Sequence, residues 1–301
     1  MIDSHQSKLL FVINPISGGK EKTDWESGIK EYFHGSSLDI YFHGLKGEND
    51  AILLKDQISK YQPDKVIAVG GDGTLKLVAE QLLNTNMALG ILPAGSANGM
   101  AKELGIPDEI NDALNVIHKG TIRKIDVVKI NDNEISLHLS DIGLNALLIK
   151  YYQKGKKRGM WGYAKAIFRV LSERRYMRVE MQIPGQKLVR KAFMVVVANT
   201  RTYGTGAIIN PEGNLYDGKF ELVVVKKLSV PELFKMILTH QSFNPEKIET
   251  IQTEQVAITI PHRSYFQVDG EYRGKVRGLE AKILPASLNM LLPIQSDSYK
   301  S

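Results

Sequence analysis

Short apolar runs alternate with amphipathic stretches along the first 130 residues. The runs at 9–14 (LLFVIN), 38–42 (LDIYF), 65–70 (KVIAVG) and 88–92 (ALGIL) are bounded by Gly, Pro or Asn, and each predicts a buried strand. Between the first two, Trp25, Ile29, Tyr32 and Phe33 recur at roughly helical spacing behind a capping box of Thr23 and Glu26. Three further helices are predicted by Ala51, Leu54, Lys55 and Ile58, by Leu75, Val78, Ala79 and Leu82, and by Ile110, Ala113, Leu114 and Ile117. Strands alternating with helices of this length require right-handed βαβ crossovers and a parallel sheet covered on both faces.

After residue 130 the texture changes. Apolar runs at 191–199 (KAFMVVVAN), 220–227 (FELVVVKK), 256–260 (VAITI) and 265–268 (YFQV) are separated by turns, with Asp217-Gly218 and Asp269-Gly270 the strongest turn signals. Only 150–176 and about 230–241 look helical there. The expected fold is therefore α/β: an N-terminal, doubly wound, mainly parallel domain over 1–130, then a C-terminal antiparallel β-sandwich domain over 131–284.

A chain of 301 residues with 43% hydrophobic positions has enough apolar sequence for such cores. It contains no cysteine, so it is no disulfide scaffold. Its first residues lack the apolar run of a signal peptide, and no stretch approaches the ~20 apolar residues of a spanning helix, so a cytoplasmic protein is expected. The formal charge is +6, and residues 150–178 alone carry ten Lys or Arg against one Glu, which leaves the rest of the chain mildly acidic. A generally basic, nucleic-acid-coating protein is thereby disfavoured, and no nucleic-acid motif is present. Tyr151, Tyr152, Trp161 and Tyr163 interleave with these cations, as suits an anionic membrane surface; packing of Tyr163, Ile167, Val170 and Leu171 onto the second domain is the structural alternative.

Three strand ends run into small-residue loops, where a doubly wound domain binds its ligands. The first, 14–20 (NPISGGK), offers Asn14, Ser17, Gly18, Gly19 and Lys20 between a strand and a helix, where backbone N–H groups and the helix dipole favour an anion. It is not a Walker A loop, and by itself it reads first as an ordinary turn. The second, 70–74 (GGDGT), offers Gly70, Gly71, Asp72, Gly73 and Thr74 before the best amphipathic helix. Glycines there let a phosphate approach the backbone, and Asp72 stands where a carboxylate binds Mg²⁺ or takes a hydroxyl proton; a helix cap is the alternative. The third, 93–98 (PAGSAN), offers Gly95, Ser96 and Asn98 as nucleotide contacts or caps. Three such loops on one sheet edge favour a nucleotide or phosphate site.

The elements FVINPISGGK, VIAVGGDGTLKLVAEQLL, LGILPAGSANGMAKELGIP, NLYDGKFELVVV and QVDGEY, in this order from Phe11 to about Tyr272, resemble the diacylglycerol kinase catalytic-domain family, which includes soluble bacterial lipid kinases and the sphingosine kinases. The resemblance implies that the first domain binds ATP, that the β-sandwich supplies lipid-side and catalytic residues, and that about 285–301 returns to the first domain. It implies that Asn14, Ser17, Gly18, Gly19, Gly71 to Thr74 and Ser96 surround the nucleotide. Asp217 matches a family Mg²⁺ site that also uses backbone oxygens near Asn214 and Lys219. In the DGE element, Asp269 and Glu271 are two apart and share a face on an extended segment, and the proton acceptor falls on Glu271. The implied reaction is transfer of the γ-phosphate of ATP to the hydroxyl of diacylglycerol or a related lipid alcohol, with ATP and Mg²⁺ as cofactors and no nucleic acid. The implied setting is cytoplasmic, peripheral to the inner face of an anionic membrane, with a homodimer allowed.

The chain departs from the family pattern at Lys76 and Leu77, where Asn-Glu is usual, at Gly99, where Asp is usual, and around His43 and Gly44, where a Thr is usual. These changes bear on the acceptor lipid more than on the nucleotide. Two other readings stay open: a NAD kinase-like enzyme, suggested by GGDGT, and a catalytically silent, nucleotide-regulated lipid-binding protein, suggested by Lys76 and Gly99. The seven histidines show no metal-ligand spacing.

Overall fold

The apolar run that opens the chain is buried from Leu9 to Ile13, as a strand covered on both faces must be. In the computed structural model, which describes residues 7–17, 25–154, 176–203, 208–227 and 245–294, this run is β1 (Lys8–Ile13). It pairs in parallel with β2 (Asp39–Gly44) on one side and β3 (Lys65–Gly70) on the other, and β3 pairs with β4 (Ala88–Pro93). The helices between them are α1 (Trp25–Tyr32), α2 (Asp50–Tyr61) and α3 (Asp72–Leu82), followed by α4 (Gly99–Glu103) and α5 (Ile110–Lys119). Thr23 of the predicted capping box lies outside the described residues.

Most residues that set the helical periodicity are buried, whereas Trp25, Tyr32 and Ala51 are half-buried and Lys55 and Ile110 are exposed. Ile29 and Phe33, Leu54 and Ile58, Leu75, Val78, Ala79 and Leu82, and Ala113, Leu114 and Ile117 all belong to the core. Phe11 sits among them, with the rings of Phe42 and Phe33 at 5.7 and 6.2 Å.

By its contacts the chain forms two units, Met1–Ile125 with Ala286–Ser301, and Asp126–Pro285. The strands β5 (Thr121–Ile130) and β14 (Glu271–Leu292) carry the chain from one to the other. The end of β14 completes the parallel sheet of the first unit: Asn289 and Met290 pair in parallel with Ala88 and Leu89 of β4, and Leu288, Met290 and Leu291 are buried.

The second unit is an antiparallel sandwich of β6 (Glu134–Ser136), β7 (Leu139–Gly143), β8 (Met177–Ile183), β9 (Gln186–Ala192), β10 (Met194–Ala198), β11 (Phe220–Val225), β12 (Ile248–Thr253) and β13 (Gln255–Val268), with parts of β5 and β14 and with α6 (Leu144–Lys154). One path runs β12-β11-β10-β7-β13-β14, and β8 joins β13 to β9. Along β10, Val195 and Val197 enter one core cluster while Met194, Val196 and Ala198 enter another, and β11 divides in the same way. Burial on both faces explains why these strands read as unbroken apolar runs instead of alternating ones.

Two expectations need refinement. The run at 191–199 is two strands, because Phe193 leaves the ladder between them to receive the Leu144 N–H and to donate its own N–H to Val225. Conversely, the runs at 256–260 and 265–268 are one strand, β13, with an irregularity between Thr259 and Ser264. The helix expected over 150–176 is described only in its opening turns, as the end of α6, and the one over 230–241 lies outside the described residues.

Candidate active site

The three small-residue loops of the first unit are tied together by their own side chains. Asn14 follows β1, donates its backbone N–H to Val69 (3.0 Å), and donates its side-chain amide to Thr74 Oγ1 (3.1 Å). Its Oδ1 takes the Ile16 N–H (3.2 Å) and its carbonyl takes that of Ser17 (3.2 Å), which shapes the opening of the first loop. The second and third loops meet through Gly70, whose carbonyl takes the Ala94 N–H (3.0 Å), and through the close approach of the Gly71 and Gly95 backbones.

That last contact requires glycine. A Cβ on Gly95 would lie 2.5 Å from Gly71 Cα and 2.8 Å from Asn98 Oδ1, and one on Gly70 would overlap the Thr74 side chain. Asn98, at φ 51°, turns its Oδ1 back to the Gly95 N–H (2.9 Å). Asp72 opens α3, and its two oxygens take the N–H groups of Gly99 and Met100, each at 3.0 Å, so it caps α4 and clasps the third loop to the second. Each oxygen keeps a lone pair for a further partner. Ser96 is exposed at the tip of the third loop and Gly73 in the first turn of α3, while Gly18, Gly19 and Lys20 lie outside the described residues. Lys76, which departs from the family pattern, is buried in the second turn of α3.

In the second unit the DGE element forms a tight hairpin turn. Val268 pairs with Glu271, and Asp269 and Gly270 take φ of 47° and 83°, the left-handed pair of a type I′ turn. The Asp269 carboxylate receives three hydrogen bonds, from Ser136 Oγ (2.8 Å), Leu137 N (3.0 Å) and His138 N (2.9 Å), which pin the turn to the chain after β6. Glu271 is left at the surface with its side chain 47% exposed, 2.6 Å from Arg273 Nη2. Arg273 also grips Glu134, with Nη2 at 2.6 Å and Nε at 2.9 Å from Oε1. These bonds, Glu134 first, push the guanidinium pKa further upward. Asp269 is thus an anchor, and Glu271 is the carboxylate of the pair that projects.

Asp217 is exposed, with Oδ1 taking the Lys219 N–H and Oδ2 the Gln252 amide, each at 3.1 Å. Asn214 Oδ1 takes the Tyr216 N–H (3.1 Å). Behind this loop, buried Asp126 receives the Gly218 N–H (2.6 Å). Buried Glu221 receives the amides of Asn210 (2.7 Å) and Gln252 (3.1 Å), and burial above all, with the Asp217 and Glu212 charges behind it, pushes its carboxyl pKa up. The donors gathered here are hard carboxylate and amide oxygens, which suit Mg²⁺. Among the described residues no cluster of three or more His, Cys, Asp or Glu is arranged to hold a metal ion.

Several residues escape the sequence reading. Asp126, Glu134, Asp141, Gln267 and Arg273 are the partners that fix the two Asp-Gly turns and their surroundings. A lone Asp inside the apolar stretch LHLSDIGL, directly before a helix, is the one signal that could have marked Asp141. His138 is also buried; its Nδ1 meets Thr200 Oγ1 at 2.7 Å, and its Nε2 finds no hydrogen-bond partner among the described residues.

A parallel α/β unit whose strand ends converge on three interlocked loops, followed by an antiparallel sandwich bearing a DGE turn, defines the class. Residues 8–130 match the family model described as the diacylglycerol kinase catalytic domain, and 141–292 match the YegS C-terminal NAD kinase beta sandwich-like domain. The chain belongs to the diacylglycerol kinase family of lipid kinases. It is 26% identical over 278 residues to a diacylglycerol kinase of Bacillus subtilis (strain 168), covering 89% of this chain and 91% of that one. It is 30% identical over 255 residues to a probable lipid kinase YegS-like protein of Pectobacterium atrosepticum, covering 82% and 84%. In fold it matches a putative diacylglycerol kinase from Bacillus anthracis str. Sterne with a TM-score of 0.77 at 22% identity, over 96% of this chain and 98% of that one. No helix among the described residues is long and apolar enough to cross a membrane.

Proposed function

We propose that this protein transfers the γ-phosphate of ATP to the hydroxyl of diacylglycerol or a related lipid alcohol. The observation that carries the reading is the clasping of the three loops in the first unit, Asn14 to Thr74, Gly71 against Gly95, and Asp72 to Gly99 and Met100, in a chain of this family. Loops fixed in this way present backbone N–H groups and the start of α3 to phosphate oxygens at no further ordering cost. Asn14, Ser17, the glycines of both Gly-rich loops, Thr74 and Ser96 are the proposed nucleotide contacts.

The lipid oxygen attacks the γ-phosphorus, the bond from phosphorus to the β–γ bridging oxygen breaks, ADP leaves, and the hydroxyl proton passes to the Glu271 carboxylate. Asp269 holds that turn in place through its three hydrogen bonds. Asp217, with Asn214 and the backbone near Lys219, is the proposed Mg²⁺-binding loop, and a bound Mg²⁺ would supply charge neutralisation there. Contact with an anionic membrane surface is supported by the cations of 150–178 and by Lys150 and Lys275, whose Nζ atoms each stand 4.5 Å from the Tyr265 ring.

Incubation of the protein with γ-labelled ATP, Mg²⁺ and a panel of lipid alcohols tests the proposal. A labelled phospholipid is expected; formation of NADP from NAD with no lipid product would overturn it.

A further inference from the structure

Asp141 lies in the middle of β7 and is fully buried at 0% exposure. Three N–H donors converge on its carboxylate: Ala146 N on Oδ1 (2.9 Å), and Asn145 Nδ2 (2.6 Å) and Gln267 Nε2 (2.5 Å) on Oδ2. Gln267, 1% exposed, stands directly across from it on β13. The Gln267 Nε2 also donates to the Leu139 carbonyl (3.2 Å), and at the other end of the same amide Oε1 takes the Gly270 N–H (2.7 Å).

An amide has one donating end and one accepting end, so these contacts determine its orientation. A carboxylate and a carbonyl can only accept from it, and the Gly270 N–H can only donate to it. The side chain is a strut from a buried carboxylate to the centre of the hairpin turn. Both central residues of that turn are thereby tethered by side chains, Asp269 to 136–138 and Gly270 to Gln267. Neither conformation is left to local preference alone, and at Asp269, a non-glycine residue, that preference is unfavourable.

We propose that Gln267 is a positioning residue that, oriented by Asp141, holds the 269–271 turn in the geometry from which Glu271 acts. The role of Glu271 rests on the proposed function; the tethering of the turn does not. Burial places the Asp141 carboxyl at about 6 against the pull of its three hydrogen bonds, a cost consistent with a carboxylate retained for what it orients. Asn145 from α6, Val196 from β10 and Gln267 from β13, which bond to it or pair with it, are all uncharged.

The test combines amide exchange at Gly270, followed by NMR, with steady-state kinetics. In Gln267→Leu the Gly270 exchange is expected to accelerate at least ~10-fold, and kcat to fall about 10- to 100-fold with the KM for ATP little changed, as for a lost supporting contact. Gln267→Glu sets a second carboxylate against Asp141 and is expected to do similar harm. Asp141→Asn combined with Gln267→Glu exchanges the donating and accepting ends between the two positions: the new amide at 141 donates to the new carboxylate at 267, which still accepts from Gly270, while the Leu139 carbonyl loses its donor and the Asn145 amide must turn to offer its oxygen. That double variant is expected to recover part of the Gly270 protection and of the kcat lost in Gln267→Glu, which general destabilisation would not produce. Unchanged exchange in Gln267→Leu, or a double variant no better than Gln267→Glu alone, overturns the proposal. If exchange responds as expected while kcat does not, the tether stands and the assignment of Glu271 falls.

Discussion

Arg190 holds Glu249 through two hydrogen bonds of 2.8 Å, from Nε and Nη2, joining β9 to β12 although the two strands share no ladder. Lys226 adds a third contact at 2.7 Å. Together, with Arg190 the larger influence, they bring the Glu249 carboxyl down to about 2 from 4.5. A lowered carboxyl contributes stability above its unfolded value, and that contribution is lost as pH falls from 4.5 toward 2. Glu249→Gln should therefore cost about 1–2 kcal/mol at pH 7, after discounting for the partly exposed cations, and less as the pH falls. Urea titrations across that range measure it.

Asp141 has the opposite sign. Burial raises its carboxyl from 3.8 to about 6, so its contribution is greatest below 3.8 and is lost as pH rises through 6. Between pH 4 and 7 the wild type should lose up to about 3 kcal/mol that Asp141→Asn does not lose. Equal pH slopes in the two proteins would refute this.

Gly95→Ala would force a Cβ to within 2.5 Å of Gly71 Cα. The two loops must part, at about 1–3 kcal/mol, and ATP binding should weaken about 10-fold or more. Calorimetric titration with ATP reads the change.

Asp72→Ala leaves the buried N–H groups of Gly99 and Met100 without their carboxylate. A stability loss of about 1–2 kcal/mol is expected, with weaker ATP binding, and Asp72→Asn should fall between the two because it keeps one acceptor. Thermal unfolding with and without ATP checks both effects.

Glu271→Gln should lower kcat by ~10²-fold or more while ATP affinity changes little. Loss of ATP binding instead would mark Glu271 as structural.

The parallel half was legible because burial on both faces leaves a simple record: KVIAVG at 65–70 is β3 over the same residues. The amphipathic helices were equally plain, since Leu75, Val78, Ala79 and Leu82 occupy one buried face of α3. The candidate loops were visible as glycines, but their interlocking was not, because Asp72 reaches 27 residues along the chain to Gly99. The same holds for the DGE turn, whose dipeptide signalled a hairpin while its anchors at 136–138 lie more than 130 residues away. Local pattern records what a residue prefers; it carries no record of which distant backbone receives its hydrogen bonds.

The strand that closes the first unit also bears on how the protein is made. Ala88 and Leu89 pair with Asn289 and Met290, and the Ser287 carbonyl takes the Asn84 N–H. During synthesis the edge of β4 therefore waits for roughly 200 further residues, about 10–40 s at ordinary elongation rates, before its partner emerges. Until then the nascent parallel sheet presents an open, apolar edge to the ribosome's surroundings, the kind of surface on which chaperones act and strands mispair.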